Sequence, residues 1–182
     1  MSNINDVNVE NLKDYMGVIT NDKEKAMIDY NVNLEWQGGT KSKVTTNDIQ
    51  LGDETLKRDF SFYIDEPEQL LGKNDYPTPQ EYLLGGMGAC MMVGYSVGAS
   101  MKGIELEKLE IELAAGLDLR GFLEVDPNSP IPFKEVKYTV HVKGNGTQEQ
   151  FEEIHDTVMK TSPNRATIAE AIPIVPNLVV EK

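Results

Sequence analysis

The chain has one cysteine, Cys90, and no other side chain in it offers as much chemistry. A thiolate attacks a peroxide oxygen or another sulfur where a thiol does not, so reactivity there needs a basic neighbour or a locally positive potential. The surrounding run, LLGGMGACMMVGYSVGASM, contains no charge. Two arrangements follow. In an unbroken helix Leu83, Met87, Cys90, Gly94, Val97 and Met101 share one face, which makes Cys90 a mid-helix core residue and an inert thiol. With a break at Gly85-Gly86 or Gly88, Cys90 falls in the first turn of a new helix, where amide dipoles favour the thiolate.

Other polar side chains are weaker candidates. Glu81 can act as an acid or base, but the sequence Thr78-Pro79-Gln80-Glu81 already explains it as one half of a capping box. It stands nine residues before Cys90, about 900° around an unbroken helix, and so on the opposite face. Gln80 cannot exchange a proton. Ser96 and Ser100 read as small packing residues, His141 as a solvated histidine on a strand, and His155 as a satisfied histidine at the edge of an apolar helical stripe. No histidine and cysteine spacing resembles a metal site, and the glycines form no phosphate loop, so neither a metal nor a cofactor is expected.

The elements that position these residues can be read from periodicity. Residues 1–25 form a polar N-terminal extension, mobile or with an added helix around residues 12–19, and residues 26–182 read as one domain. Val32, Leu34 and Trp36 alternate with polar residues as a half-buried strand. Gln37-Gly38-Gly39-Thr40 turns it into a partner over residues 41–46, and a third strand is expected from Leu56 to Phe62. Thr78 and Pro79 open a long helix that runs to about Met101 and stops at Gly103. A strand alternates from Leu109 to Leu119, bent near Gly116, and another carries Val136, Tyr138, Val140 and Val142. Thr147 and Gln150 form a second capping box, Pro163 opens a further helix, and residues 172–180 read as a final edge strand. Hairpin spacing without parallel crossovers gives an antiparallel α+β domain.

The long helix is apolar nearly all round and needs cover on every side. One small sheet covers one side, and a partner subunit is the source of the rest. Gly94 and Gly98, four apart, share a face suited to a close helix crossing. The nineteen uncharged residues 83–101 can also span a bilayer, but the five glycines weaken their hydrophobicity and no basic cluster flanks them, so a buried soluble helix is expected. The net charge of -13, from 17 basic and 30 acidic residues, opposes nucleic acid and anionic membranes. One cysteine excludes an intrachain disulfide, and the polar first residues resemble no secretory signal, so a cytoplasmic protein is expected.

The run DEPEQLLGKNDYPTPQEYLLGGMGACMMVGYSVGASMKGIELEKLEIEL, then LDLRGFL, then TSPNRATI, resembles the OsmC/Ohr family of osmotically inducible and organic-hydroperoxide-resistance proteins. The resemblance implies an intertwined homodimer, with antiparallel sheets wrapped around central helices. It also implies reduction of organic hydroperoxides, with Cys90 at the peroxidatic position. The family's resolving cysteine corresponds to Ser162, which suits an N-cap before Pro163 but cannot form a disulfide. The glutamate that orients the family's active-site arginine corresponds to Gln80, with Glu81 one position on. The arginine corresponds to Thr40, or to Lys41 with a shift, and Arg58 is the candidate substitute from a neighbouring strand. The implied activity is a single-cysteine hydroperoxide reductase restored by an external thiol. The alternative is a non-catalytic dimer that holds a small apolar ligand in an interface cavity lined by residues such as Met87, Met91, Met92 and Tyr95.

Overall fold

The computed structural model describes residues 3–180; the first two residues of the expected extension and the last two of the chain lie outside the described residues. The chain divides into two compact units between Gly85 and Gly86. The extension carries a helix, α1 (Val9–Asn21), whose first turn is capped by the Asn8 carboxamide oxygen accepting the Asn11 amide at 2.9 Å.

Two three-stranded antiparallel sheets follow in the first unit. One is ordered β1 (Ile28–Asp29), β4 (Ile49–Leu51), β5 (Glu54–Leu56), and the other β2 (Val32–Trp36), β3 (Ser42–Thr46), β6 (Ser61–Ile64). The β2–β3 hairpin has the expected register, with Leu34 opposite Val44 and Trp36 opposite Ser42. Gly38 (φ 92°) and Gly39 (φ 58°) occupy left-handed conformations in its turn, which side chains with a Cβ rarely adopt. The central strand buries Val44.

Two expectations need correction here. The strand expected from Leu56 to Phe62 is two shorter strands, because side chains capture the backbone between them. Asp48 accepts the Arg58 amide at 3.1 Å and the Lys57 ammonium at 2.7 Å, and the Phe60 amide donates to Thr46 Oγ1 at 3.2 Å. The alternation in β2 is present, but β2 is the sheet's edge and its apolar face is uncovered in this chain; Trp36 is 77% exposed.

The helix α2 (Pro79–Met101) is continuous and has the expected limits. It ends at Gly103 (φ 72°), where the Ile104 amide reaches back to the Ala99 carbonyl at 2.9 Å. Among the described residues it is the one helix long and apolar enough to cross a bilayer, yet it carries the core of the second unit. Met87, Met91, Tyr95 and Ala99 pack there with Ile104, Ile154 and Val158. The cover comes from two sides. A two-stranded antiparallel sheet, β7 (Leu106–Ala115) with β8 (Val136–Gly144), turns Leu109, Ile111, Leu113, Tyr138 and Val140 inward. The helix α4 (Gln148–Thr161), started by the Thr147–Gln150 capping box, supplies Ile154 and Val158.

Glycines set both approaches. A Cβ on Gly88 would stand 2.7 Å from Leu113 Cδ1 on β7, and one on Gly94 would stand 2.9 Å from Val158 Cγ2 on α4. One turn on, a Cβ on Gly98 would meet Ile154 Cγ2 at 3.1 Å. The close crossing read from Gly94 and Gly98 is therefore made within one chain. Another face of α2 stays open, with Val93 63% exposed.

β7 stops at Ala115, and its register shift lies between Leu106 and Lys108, not near Gly116. The Asp118 carboxylate accepts the Arg120 amide at 2.9 Å and starts the short helix α3 (Leu119–Phe122), which competes with strand extension there. The final strand expected over residues 172–180 is not formed. Pro173 and Pro176 remove two ladder donors, and the segment's apolar side chains are exposed, Ile174 by 88%.

Candidate functional site

Continuity of α2 decides between the two sequence arrangements for Cys90. The cysteine lies in mid-helix and not in a first turn, so no helix terminus acts on it. The sole cysteine is half-buried and lies outside the buried core, so the core placement expected of an unbroken helix does not hold for it. Its partner is Ser162, whose hydroxyl donates to Cys90 Sγ at 3.4 Å across 72 residues of sequence.

The joint between α4 and α5 (Pro163–Ala169) places that hydroxyl. Ser162 ends α4, donating its amide to the Val158 carbonyl at 3.0 Å, and starts α5, accepting the Ala166 amide at 3.0 Å. It is the N-cap residue by position, as read from the sequence, but its side chain does not cap α5. Pro163 has no amide to offer, and the buried hydroxyl, in a residue 6% exposed, turns to sulfur instead. Asn164 adds a second tie, donating from Nδ2 to the Gly86 carbonyl at 2.9 Å. Gly86 stands four residues before Cys90, so the same carbonyl is the intrahelical acceptor for the Cys90 amide. Arg165 points elsewhere and donates to the Met159 carbonyl at 2.8 Å. Nothing in the sequence signalled Asn164, because its contact spans two helices.

The remaining sequence candidates, Gln80, Glu81 and Arg58, belong to the first unit. Glu81 forms the capping box: its carboxylate accepts the Thr78 amide at 2.7 Å and the Thr78 hydroxyl at 3.0 Å. The Thr78 amide, with the hydroxyl, holds the Glu81 carboxyl below its usual range. Gln80 is half-buried beside it in the first turn. Arg58 lies in the loop between β5 and β6, not in a strand, and its guanidinium stacks over the Phe60 ring at 4.6 Å. Thr40 donates to Asp65 Oδ1 at 3.2 Å, while the Lys41 ammonium lies over the rings of Tyr76 (4.7 Å) and Tyr63 (5.1 Å).

Asp65 organises this corner of the first unit. It is buried and also accepts the amides of Lys73 at 3.0 Å and Asp75 at 3.3 Å. Backbone amides, that of Glu66 first, hold its carboxyl below the usual range against the opposing effect of burial. Burial, with the charges of Asp65 and Glu81, pushes the neighbouring Glu66 carboxyl up.

The histidines separate by role. His141 is exposed, 3.6 Å from the Glu112 carboxylate. His155 meets Tyr95 instead, with the phenol oxygen 2.5 Å from Nδ1. Burial, with Tyr138 nearby, pushes the Tyr95 phenol up to about 12, so it remains a donor at neutral pH. Among the described residues no group of three or more His, Cys, Asp and Glu side chains is placed to hold a metal ion. Of the methionines named for an apolar cavity, Met87 and Met91 are core residues and Met92 is partly exposed. Tyr95 lines a cleft between β8 and α4.

No curated protein matches the chain. Among solved structures it is similar to an OsmC-like protein from Mycoplasma pneumoniae, with 16% identity, a TM-score of 0.60, and 78% of this chain and 87% of that one covered. It is also similar to an OsmC-like protein of unknown function from Vibrio cholerae, with 12% identity, a TM-score of 0.58, and 78% and 94% covered. At these identities the likeness is one of fold. The family model described as OsmC-like protein matches residues 72–177. That match covers more than half of the chain and includes α2, Cys90 and Ser162. The chain therefore belongs to the OsmC-like protein family, as a member with a single cysteine.

Proposed function

We propose that this protein reduces organic hydroperoxides with Cys90 as its one redox-active thiol. The observation that carries the reading is the Ser162 hydroxyl donating to Cys90 Sγ in a member of the OsmC-like family. A hydroxyl in that place stabilises negative charge on the sulfur and on an oxygen added to it.

The Cys90 thiolate attacks the terminal oxygen of R–O–O–H. The O–O bond breaks, RO⁻ leaves and takes a proton to become the alcohol, and Cys90 becomes a sulfenic acid. Serine has no thiol to condense with that sulfenic acid. An external thiol therefore attacks the Cys90 sulfur, releasing water and leaving a mixed disulfide. A second external thiol frees Cys90 and departs as a disulfide, so two thiols supply the two electrons that reduce one peroxide.

In this reading Arg58 and Gln80 are the candidate assisting residues carried by the first unit, and Glu81 fixes the start of α2 beside Gln80. The protein acts as a homodimer in a reducing, cytoplasmic setting. Support for the dimer comes from apolar surface left open in one chain: Trp36 with Leu34 on β2, Val93 on α2, and Ile174 with Val175 near the C-terminus.

The test is consumption of cumene hydroperoxide with dithiothreitol as reductant, by wild type and by Cys90→Ser. Turnover by wild type alone supports the reading, and equal, negligible turnover with several thiol donors overturns it. The exposed Met92 and Val93 favour a second reading, in which the dimer holds a small apolar ligand between copies and does no chemistry. Native mass spectrometry of the purified dimer tests it, and no bound apolar ligand, copurified or added, counts against it.

A further inference from the structure

The cleft between β8 and α4 serves no part of the thiol chemistry, and Cys90 does not line it. Its volume of about 560 Å³ suits a small organic molecule. Val140 and Val142 from β8 and Phe151 from α4 make apolar walls. Glu152 and Asp156, one helical turn apart, add two carboxylates. Among the described residues no lysine or arginine lines the cleft. Lys102, just past the end of α2, reaches α4 but binds Glu153 instead, at 2.6 Å.

The floor is a fixed pair, Tyr95 and His155. The Tyr95 phenol oxygen lies 2.5 Å from His155 Nδ1, which fixes both rings at the base of the cleft. The Tyr138 ring, 6.4 Å from His155, braces the pair. A fixed floor, apolar walls and two carboxylates select a ligand by charge. An anion meets two like charges in a chain of net charge -13. A neutral apolar molecule satisfies the walls alone. A cation with an apolar body satisfies both.

We propose that this cleft binds a small organic amine with an aromatic or branched apolar body, its ammonium on Glu152 and Asp156 and its body against Val140, Val142 and Phe151. The Gln148 amide, which already donates to Glu152 at 2.8 Å, holds that carboxylate in place.

The experiment is an NMR titration of isotope-labelled full-length protein with three probes of similar shape: phenethylamine, 2-phenylethanol and 3-phenylpropionate. Phenethylamine is expected to shift Val140, Phe151 and His155 saturably at millimolar concentration, with affinity about tenfold above the alcohol. The double variant Glu152→Gln/Asp156→Asn, which changes charge with little change of shape, is expected to remove that advantage and leave the spectrum elsewhere unchanged. Three results would each overturn the proposal: no saturable shift from phenethylamine, equal or tighter binding of the alcohol or the carboxylate, or an amine preference that survives the double variant. Peroxide turnover does not enter the readout, so failure here leaves the Cys90 reading standing and the reverse also holds.

Discussion

Ser162 Oγ lies 3.4 Å from Cys90 Sγ, the hydroxyl of one helix joint directed at the thiol in the middle of another helix. The pair occupies the two positions that the sequence resemblance links to disulfide chemistry, with one sulfur replaced by oxygen. A second sulfur at position 162 needs an approach of little more than an ångström to reach the disulfide bond length of about 2.05 Å. Ser162→Cys is therefore expected to form an intramolecular disulfide on treatment with an organic hydroperoxide. Free-thiol titration checks it: two thiols fall to none in the variant. Persistence of both thiols while wild-type Cys90 oxidises would show that the joint does not hold the pair in line.

Removing the hydroxyl tests the same contact from the other side. Ser162→Ala deletes a hydrogen bond to sulfur and is expected to slow oxidation of Cys90 by several-fold to about tenfold, with a smaller effect on stability. The second-order rate with cumene hydroperoxide gives the first quantity and urea unfolding the second. An unchanged rate with a lowered urea midpoint would make Ser162 a packing residue only.

The crossing of α2 and α4 rests on missing side chains. Gly94→Val places branched carbons where Val158 already stands, and Val158 is β-branched on a helix and cannot easily turn away. The variant is expected to lose about 1–3 kcal/mol, measured by urea unfolding. Gly85→Ala is the control, since a Cβ there meets nothing within 4 Å and gains helix propensity. Equal effects at both positions would contradict the close-packed crossing.

Tyr95 gives a pH-dependent prediction. Its phenol is raised to about 12 in the fold, against about 10 in an unfolded chain. Above pH 10 the unfolded state loses a proton that the folded state keeps. The contribution of Tyr95 is therefore complete below about pH 10 and declines as pH rises towards about 12. Ultraviolet titration of wild type against Tyr95→Phe is expected to show one tyrosine that ionises only near pH 12 or on unfolding. Ionisation of that tyrosine near pH 10 in the folded protein would contradict its burial against His155.

Much of this architecture was legible because its signals are local. The Thr78-Pro79-Gln80-Glu81 start and the Gly103 stop fixed α2, and Thr147 with Gln150 fixed the start of α4. Gly94 and Gly98 were legible as a crossing because their spacing matches a helix face, although their partners Val158 and Ile154 were not. Arg58 was assigned to a strand because alternation cannot register Asp48 pulling its amide out of the ladder. Alternation predicts a half-buried strand at Val32, Leu34 and Trp36, and residues 172–180 read as a final edge strand, but a single chain covers the apolar side chains of neither. Tyr95 with His155 and Cys90 with Ser162 join residues 60 and 72 positions apart, beyond the reach of any periodicity.

The most direct measurement is the reactivity of the Cys90 thiol in the folded protein, followed by mass spectrometry with a sulfenic-acid trap during exposure to an organic hydroperoxide. The account predicts rapid, stoichiometric trapping at Cys90 under native conditions and recovery of the free thiol on adding an external thiol. A Cys90 thiol that stays reduced in the folded protein, and reacts only once denaturant has unfolded the chain, would contradict it.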